Sequence, residues 1–269
     1  DSLDLRTVPS AVGGDPEARR GIILAKSIPA KKYKIQTGEA LFSAKQKCPN
    51  LIIVKPDYNL YRQCSEYLKT ILTGYSPLIQ QFSVDEFFLD FSGMKQIWGD
   101  PLATAYQLKE TVKEQLGFTV NIGISNNKLL AKMASELEKP DKVHTLFPEE
   151  ISTKMWPLPV EELFGVGRAT SRKLRDRGIK TIGDLANENP SYLKRFLKSY
   201  GILLWNYANG RDNSPVVENK AIPIKGLGNS TTIPFDVDDR RTAYLVLLSL
   251  AETVGMRLRK SGFCAGLVS

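Results

Sequence analysis

Histidine is almost absent from this 269-residue chain: His144 stands alone. With no second histidine and no nucleophile arranged around it, protease and esterase chemistry has no support, and His144 is expected to pack in a strand or face solvent. Cysteine is also scarce. Cys48, Cys64 and Cys264 are far apart and share no paired spacing, which argues against a disulfide framework and against a zinc site, so all three are expected as reduced thiols. No run of about 18 apolar residues occurs, which excludes a transmembrane helix. The opening residues, with Asp1, Asp4 and Arg6, lack the apolar centre of a signal peptide. A cytosolic or nucleoid-associated location is expected. Internal repeats, low-complexity tracts and long flexible linkers are absent too.

What is present begins with ordinary globular composition, 42% hydrophobic, and enough length for two or three small cores. The net charge of +8 suits a polyanion binder but also many ordinary basic proteins. Its distribution says more. Residues 163–180 carry six cations, Arg168, Arg172, Lys173, Arg175, Arg177 and Lys180, against the single anion Asp176, so one helix-sized patch holds +5.

The pattern along the chain predicts a strand over 79–84. In a second strand, Phe87, Leu89 and Phe91 lie opposite Phe88, Asp90 and Ser92, and Asp85-Glu86 falls at the connection. Asp100 reads as an N-cap with Pro101 at the first helical position, and Ala105, Leu108, Val112 and Leu116 recur at helical spacing up to the Gly117 stop. Alternation over 118–124 predicts a half-buried strand. Ser125 or Asn126 is expected to cap a helix that buries Leu129, Leu130, Met133 and Leu137, and residues 143–147 return as a strand. This order predicts an α+β fold with an antiparallel-rich sheet and helices on one face. Residues 151–214, short-helical and dotted with Gly and Asn, read as a separate helical domain. A link follows near Asn213–Pro223, then a segment opening with Gly228-Asn-Ser-Thr-Thr232 and holding one helix near 243–260. Trp98, Trp156 and Trp205 are expected as core anchors.

Two motifs bear chemistry. Adjacent carboxylates at a tight strand connection can both reach a divalent cation, and phosphoryl transfer needs such hard oxygen ligands. A bare Asp-Glu pair is more often a solvated hairpin tip. Here, however, it is embedded in Phe82-Ser-Val-Asp-Glu-Phe-Phe-Leu-Asp90, with Gly123-Ile-Ser-Asn-Asn-Lys-Leu-Leu-Ala-Lys132 and Lys139-Pro140 downstream. The second motif is Leu163-Phe-Gly-Val-Gly-Arg-Ala-Thr170, where two glycines let backbone approach a phosphate strand beside the cationic patch. A dinucleotide fingerprint is excluded by the missing third glycine and the lack of a strand-turn-helix unit, while a purely structural tight turn is the competing reading.

Together these stretches resemble the palm and thumb of Y-family DNA polymerases, especially the bacterial polymerase IV branch. Their Ser-x-Asp-Glu and Gly-x-Ser-x-Asn-Lys-x-x-Ala-Lys motifs appear here in order. The resemblance implies a palm with a ferredoxin-like sheet, small fingers, a helical thumb with a helix-hairpin-helix, and a partial little finger. The expected divisions are 1–55, 56–148, 149–214 and 215–269. It implies a DNA-directed DNA polymerase performing translesion synthesis in DNA repair, with two Mg2+ ions held by Asp85 and Glu86. Lys139 would contact the triphosphate. Val12-Gly-Gly-Asp-Pro16 and Gly21-Ile-Ile-Leu-Ala-Lys26 resemble the start of the fingers, which implies nucleotide contacts from Ala25, Ile28 and Lys31. Ile28 and Lys31 stand where the family commonly has an aromatic residue and an arginine, and Lys31 keeps the charge without the bidentate fork. Gly165, Val166, Gly167, Arg168, Arg172 and Lys128 would meet DNA. The implied partners are primer-template DNA and deoxynucleoside triphosphates, with a sliding clamp engaged through a C-terminal tail not seen here, and no membrane.

Family members begin with a strand bearing another metal-binding aspartate, and neither Asp1 nor Asp4 sits in such a pattern. The chain as it stands is therefore expected to expose an unpaired sheet edge, to bind DNA weakly and not to extend primers. Two other readings compete: a non-catalytic DNA-binding or regulatory protein that keeps the palm as scaffold, and a palm-like nucleotide cyclase. The cyclase leaves the helix-hairpin-helix and the basic patch unexplained.

Overall fold

A computed structural model of the chain describes residues 3–14, 21–219, 223–233 and 235–268. Asp1, Asp15 and Pro16, and residues 220–222 of the 213–223 link, lie outside the described residues. The chain divides into two compact units, Asp1–Asn59 with Pro223–Ser269, and Leu60–Ile222.

In the first unit, β1 (Ser10–Gly13) pairs antiparallel with β2 (Ile23–Lys26) and parallel with β3 (Ile52–Val54). Helices α1 (Ile28–Lys31) and α2 (Leu41–Lys47) accompany this sheet, and Ala11, Ile23, Ala30, Ile35, Leu41 and Leu51 form the core. Ser27 caps α1: its hydroxyl accepts from the amides of Ala30 and Ser10 and donates to the Val8 carbonyl, which ties the helix start to the strand.

Helix α3 (Tyr58–Thr73), which belongs to the second unit from Leu60 on, is followed by the antiparallel pair β4 (Ile79–Gln81) and β5 (Phe87–Leu89). Then come α4 (Lys95–Trp98), α5 (Pro101–Leu116), β6 (Ile122–Ile124), α6 (Lys128–Glu136) and β7 (Val143–Thr145), with β6 and β7 parallel. Asp100 caps α5 by accepting from the Ala103 amide, and Gly117 ends it at φ 73°, both as the sequence predicts. Phe87, Leu89, Phe118, Val120 and Ile122 pack on the core of Leu68, Leu72, Tyr75, Ile79, Leu108 and Val112.

Several expectations need correction. The strand expected over 79–84 ends at Gln81, because the amides of Phe82 and Ser83 both turn to the Glu86 carbonyl (2.8 and 3.2 Å). In 118–124 the alternation describes burial correctly, but among the described residues only Ile122–Ile124 pairs in a ladder, and its partner strand stops at Thr145. The expected antiparallel-rich sheet is divided: among the described residues β4–β5 and β6–β7 share one helical cover but exchange no ladder bonds. Asn127, rather than Ser125 or Asn126, caps α6. Its side chain accepts from the Leu130 amide at 2.9 Å and donates to the Gly210 carbonyl at 2.9 Å, while the Ser125 hydroxyl is drawn to the Leu146 carbonyl.

The contact between α6 and β6 depends on Gly123. A Cβ there would lie 1.9 Å from the Ala131 carbonyl oxygen and 2.5 Å from the Ser135 nitrogen, so only glycine lets the helix backbone rest on the strand. Leu129, Leu130 and Met133 of α6 join the helical core beyond it, and Ala134 touches that core as well as the strand at Gly123. That core is built from α7 (Arg168–Arg175), α8 (Ile182–Asn187), α9 (Pro190–Leu197) and α10 (Ser199–Ala208), preceded by short 3-10 and π turns between Pro148 and Glu162. Residues 151–214 thus share a core with α6. The tryptophans act as anchors: Trp98 stacks on Tyr75 at 4.7 Å, the Trp156 indole donates to the Ala208 carbonyl, and Trp205 packs on the helical core. His144 is half-buried, 3.9 Å from Glu138.

The last element is α11 (Arg240–Lys260), capped by Asp239 and longer at its start than the helix expected from residue 243. Residues 228–232 have no regular structure, and the Arg257 guanidinium donates to the Gly228 carbonyl. Among the described residues no helix is long and apolar enough to cross a membrane.

Candidate nucleotidyl-transfer and DNA-binding site

The β4–β5 connection is a tight turn over Ser83–Asp85. The Ser83 hydroxyl donates to the Asp85 carboxylate at 2.6 Å, which fixes the aspartate at the exposed tip. Glu86 follows half-buried at the base and is ion-paired to Lys132 of α6. Lys132 also holds Glu136 one helical turn on, at 2.8 Å, and Glu136 holds Lys139 at 2.6 Å. Carboxylate and ammonium thus alternate from the hairpin to the end of α6. Lys132 is the most enclosed member, with 16% of its side chain exposed, while Lys139 is half exposed.

Burial would lower the pKa of Lys132 and raise that of Glu136, but the ion-pair hydrogen bonds win in both. Lys132 is held above the usual lysine value by Glu136 and Glu86, and Glu136 below the usual carboxylate value by Lys132 and Lys139. Beyond Lys139, Asp141 ties the loop back to α5 through the buried Lys109 at 2.8 Å and through Lys113 at 3.4 Å. These contacts hold Asp141 below its usual pKa, the Lys109 hydrogen bond contributing most.

The glycine hairpin lies beside this chain of charges. An open hollow of about 360 Å³ is lined by Lys132, Met133 and Glu136 on one side and by Glu161, Phe164 and Gly165 on the other. Phe82, next to the acidic turn, meets Phe164 edge to face at 6.0 Å, and the Phe164 amide points to the Met133 sulfur. Gly165 has φ 93°, a conformation that favours glycine, and its carbonyl accepts from the Tyr200 hydroxyl at 2.6 Å. Val166 is buried and anchors the turn, whereas a Cβ on Gly167 would meet nothing within 4 Å.

Within the basic patch, Arg175 is bidentate to Glu161 and Arg177 stacks on Phe196 at 4.2 Å. Arg168, Arg172 and Lys173 are exposed and, among the described residues, have no acidic partner, while Lys180, also exposed, donates its backbone amide to the Asp184 carboxylate at 2.9 Å. Lys128 is turned inward: its ammonium donates to Gln80 at 3.0 Å and lies 5.7 Å from the Phe88 ring, fastening α6 to the hairpin. In the first unit, Ala25, Ile28 and Lys31 are all exposed, and the last two share a face of α1 at i, i+3 spacing.

The acidic pair, Lys139 and the glycines stand out in the sequence, whereas nothing there gives Glu136 a part, or Lys132 one beyond its place in the motif. The 132, 136, 139 spacing, that of one face of a helix although α6 itself ends at Glu136, is the signal that was available. The pairing of Lys132 with Glu86, 46 positions away, carried none. Among the described residues no group of three or more His, Cys, Asp or Glu side chains could by itself hold a metal ion. The adjacent Asp85 and Glu86 nevertheless suit magnesium, a hard cation that uses one or two carboxylates and fills its other positions with water and phosphate oxygens.

The architecture is that of the Y-family polymerases. A Y-family DNA polymerase chimera superposes over 92% of this chain and 72% of its own with a TM-score of 0.80 at 23% identity. DinB from Sulfolobus solfataricus superposes over 78% and 62% with a TM-score of 0.70 at 24% identity. The chain belongs to the impB/mucB/samB family. The model of that family matches residues 1–136, that of its HHH motif residues 148–179, and that of its C-terminal domain residues 224–269. DNA polymerase IV of Clostridium acetobutylicum is 46% identical over 99% of this chain, and DNA polymerase IV of Acetivibrio thermocellus 43% identical over 95%. The chain spans 67% and 64% of the lengths of those two relatives, about two thirds.

Proposed function

We propose that the intact protein is a DNA-directed DNA polymerase of the translesion class, taking primer-template DNA and deoxynucleoside triphosphates and acting in the cytoplasm at the nucleoid. The observation that carries this reading is the juxtaposition, in one compact unit, of the exposed acidic hairpin, the lysines of α6 and its exit, and the glycine hairpin with Arg168 and Arg172, which have no acidic partner among the described residues.

Asp85 and Glu86 are assigned as ligands for two Mg2+ ions. When bound, these would stabilise the charge that develops as the primer 3′ hydroxyl displaces pyrophosphate from the α-phosphate in line. The protein's own part is to position and neutralise. Ser83 orients Asp85, Lys139 meets the triphosphate, and the Gly165–Arg168 turn with Arg172 grips duplex backbone through amides and guanidinium groups. Ala25, Ile28 and Lys31 are assigned to nucleotide contact from the exposed surface of the first unit. The inward pairing of Lys128 favours an indirect contribution to DNA binding, through the placement of α6.

Sequence-independent binding through the patch predicts that Arg172→Ala weakens duplex DNA binding to a similar degree on every sequence. The slope of log K against log salt should become shallower by about 1, as for loss of one phosphate contact. Fluorescence anisotropy across a salt series measures it, and an unchanged slope would remove Arg172 from the interface.

A further inference from the structure

The alternating charges around Lys132 bear on how metal and nucleotide bind. We infer that Lys132 and Glu136 are positioning residues that couple the two events, through a relay in which Lys132 yields Glu86 to the metal as Glu136 yields Lys139 to the triphosphate. This rests on the assignment of Glu86 and Lys139 made above.

The chain of contacts supports it. Glu86 and Lys139 are the two ends, and each has as its ion-pair partner one of the two inner groups. Those inner groups, Lys132 and Glu136, already touch at 2.8 Å at i, i+4 spacing on α6. A cation at Glu86 competes directly with the Lys132 ammonium. Once displaced, that ammonium has Glu136 within reach, and a Glu136 more fully engaged by Lys132 holds Lys139 less firmly. Nothing is left uncompensated in the middle: the inner pair is neutral by itself, and the outer charges pass to ligands of opposite sign. The enclosure of Lys132 strengthens the effect, because ion pairs shielded from water are screened least. The backbone contact at Gly123 keeps α6 fixed against its strand, so the exchange takes place by side-chain movement alone. Coupling of this kind is reciprocal, so the triphosphate must strengthen metal binding by the same factor.

The relay predicts effects of opposite sign, which a merely structural role would not produce. In Lys132→Met the competitor at Glu86 is gone while Glu136 is left wholly to Lys139. Mn2+ alone should bind about three- to tenfold tighter and the metal-free triphosphate weaker by a similar factor, the size expected for one nearby charge at partial exposure. Glu136→Gln should do the reverse, with Mn2+ weaker and triphosphate tighter. Lys132→Arg, which keeps the charge, should stay near the parent. The readout is Mn2+ titration of the intact protein by electron paramagnetic resonance, with and without a deoxynucleoside triphosphate, together with triphosphate binding in the absence of metal. Mirror-image shifts support the relay. If both variants weaken metal and triphosphate together, or neither moves them, the relay is wrong. Glu86→Gln separates this outcome from failure of the site itself: if it leaves Mn2+ binding intact, the metal assignment fails, whereas loss of binding there with uniform behaviour of the Lys132 and Glu136 variants overturns the relay alone.

Discussion

Replacing Asp85 with alanine in the intact protein is expected to lower primer extension by about three orders of magnitude, the roughly 4 kcal/mol of transition-state stabilisation that a well-placed cation supplies. Folding should be unaffected. Asp85 is exposed at the tip of a turn whose backbone is closed by the amides of Phe82 and Ser83 on the Glu86 carbonyl, and among the described residues its one side-chain hydrogen bond is to Ser83 two residues away. The same substitution separates a polymerase from a protein that keeps this fold only to bind DNA: the enzyme loses extension and keeps DNA affinity, while a binding module is indifferent. Single-nucleotide incorporation and DNA anisotropy on the same preparation check it, and extension within a few-fold of the parent would remove Asp85 from the chemistry.

The second large effect is on stability. Gly123→Ala should cost about 3 kcal/mol or more, because its methyl group would collide with the backbone of α6 at Ala131 and Ser135, and backbone cannot turn aside as a side chain can. For a unit of this size that lowers Tm by roughly 10 °C. Gly167→Ala is the control: its Cβ faces open space at φ −81°, so melting should be unchanged even though the position lies in the glycine hairpin proposed to grip DNA. Thermal unfolding of the two variants side by side decides it, and equal melting temperatures would contradict the close packing of α6 on β6.

The contrast between these glycines shows what the sequence could and could not disclose. The acidic turn, the Asp100 to Gly117 helix and the glycine hairpin were legible because each is governed by neighbours within a few residues: caps, a stop, a turn that needs positive φ. Gly123 was legible only as part of a motif, since its cause lies in Ala131 and Ser135 across a strand-to-helix contact. Strand ends failed for a similar reason. Residues 118–121 have the alternation of a strand, and Phe118 and Val120 do pack inward, but whether an alternating stretch becomes a ladder depends on a partner that local pattern does not reveal. The capping of α6 was misplaced by one or two positions because Ser125, Asn126 and Asn127 can all cap, and the tether of Asn127 to Gly210, 83 positions away, favours the third. The charges of the site were visible one by one. Their alternation was visible only in its local part, Lys132, Glu136 and Lys139, because the link between Glu86 and Lys132 exists only once α6 is laid against the hairpin.

The proposed polymerase requires a divalent ion held at the β4–β5 turn. Crystals of the intact protein soaked with Mn2+ and a non-hydrolysable deoxynucleoside triphosphate, with data collected at the manganese absorption edge, locate the ion without reference to activity. Anomalous density within coordination distance of the Asp85 and Glu86 carboxylates, with the triphosphate reaching toward Lys139, is the expected result. Manganese bound elsewhere, with Glu86 still paired to Lys132, would contradict it.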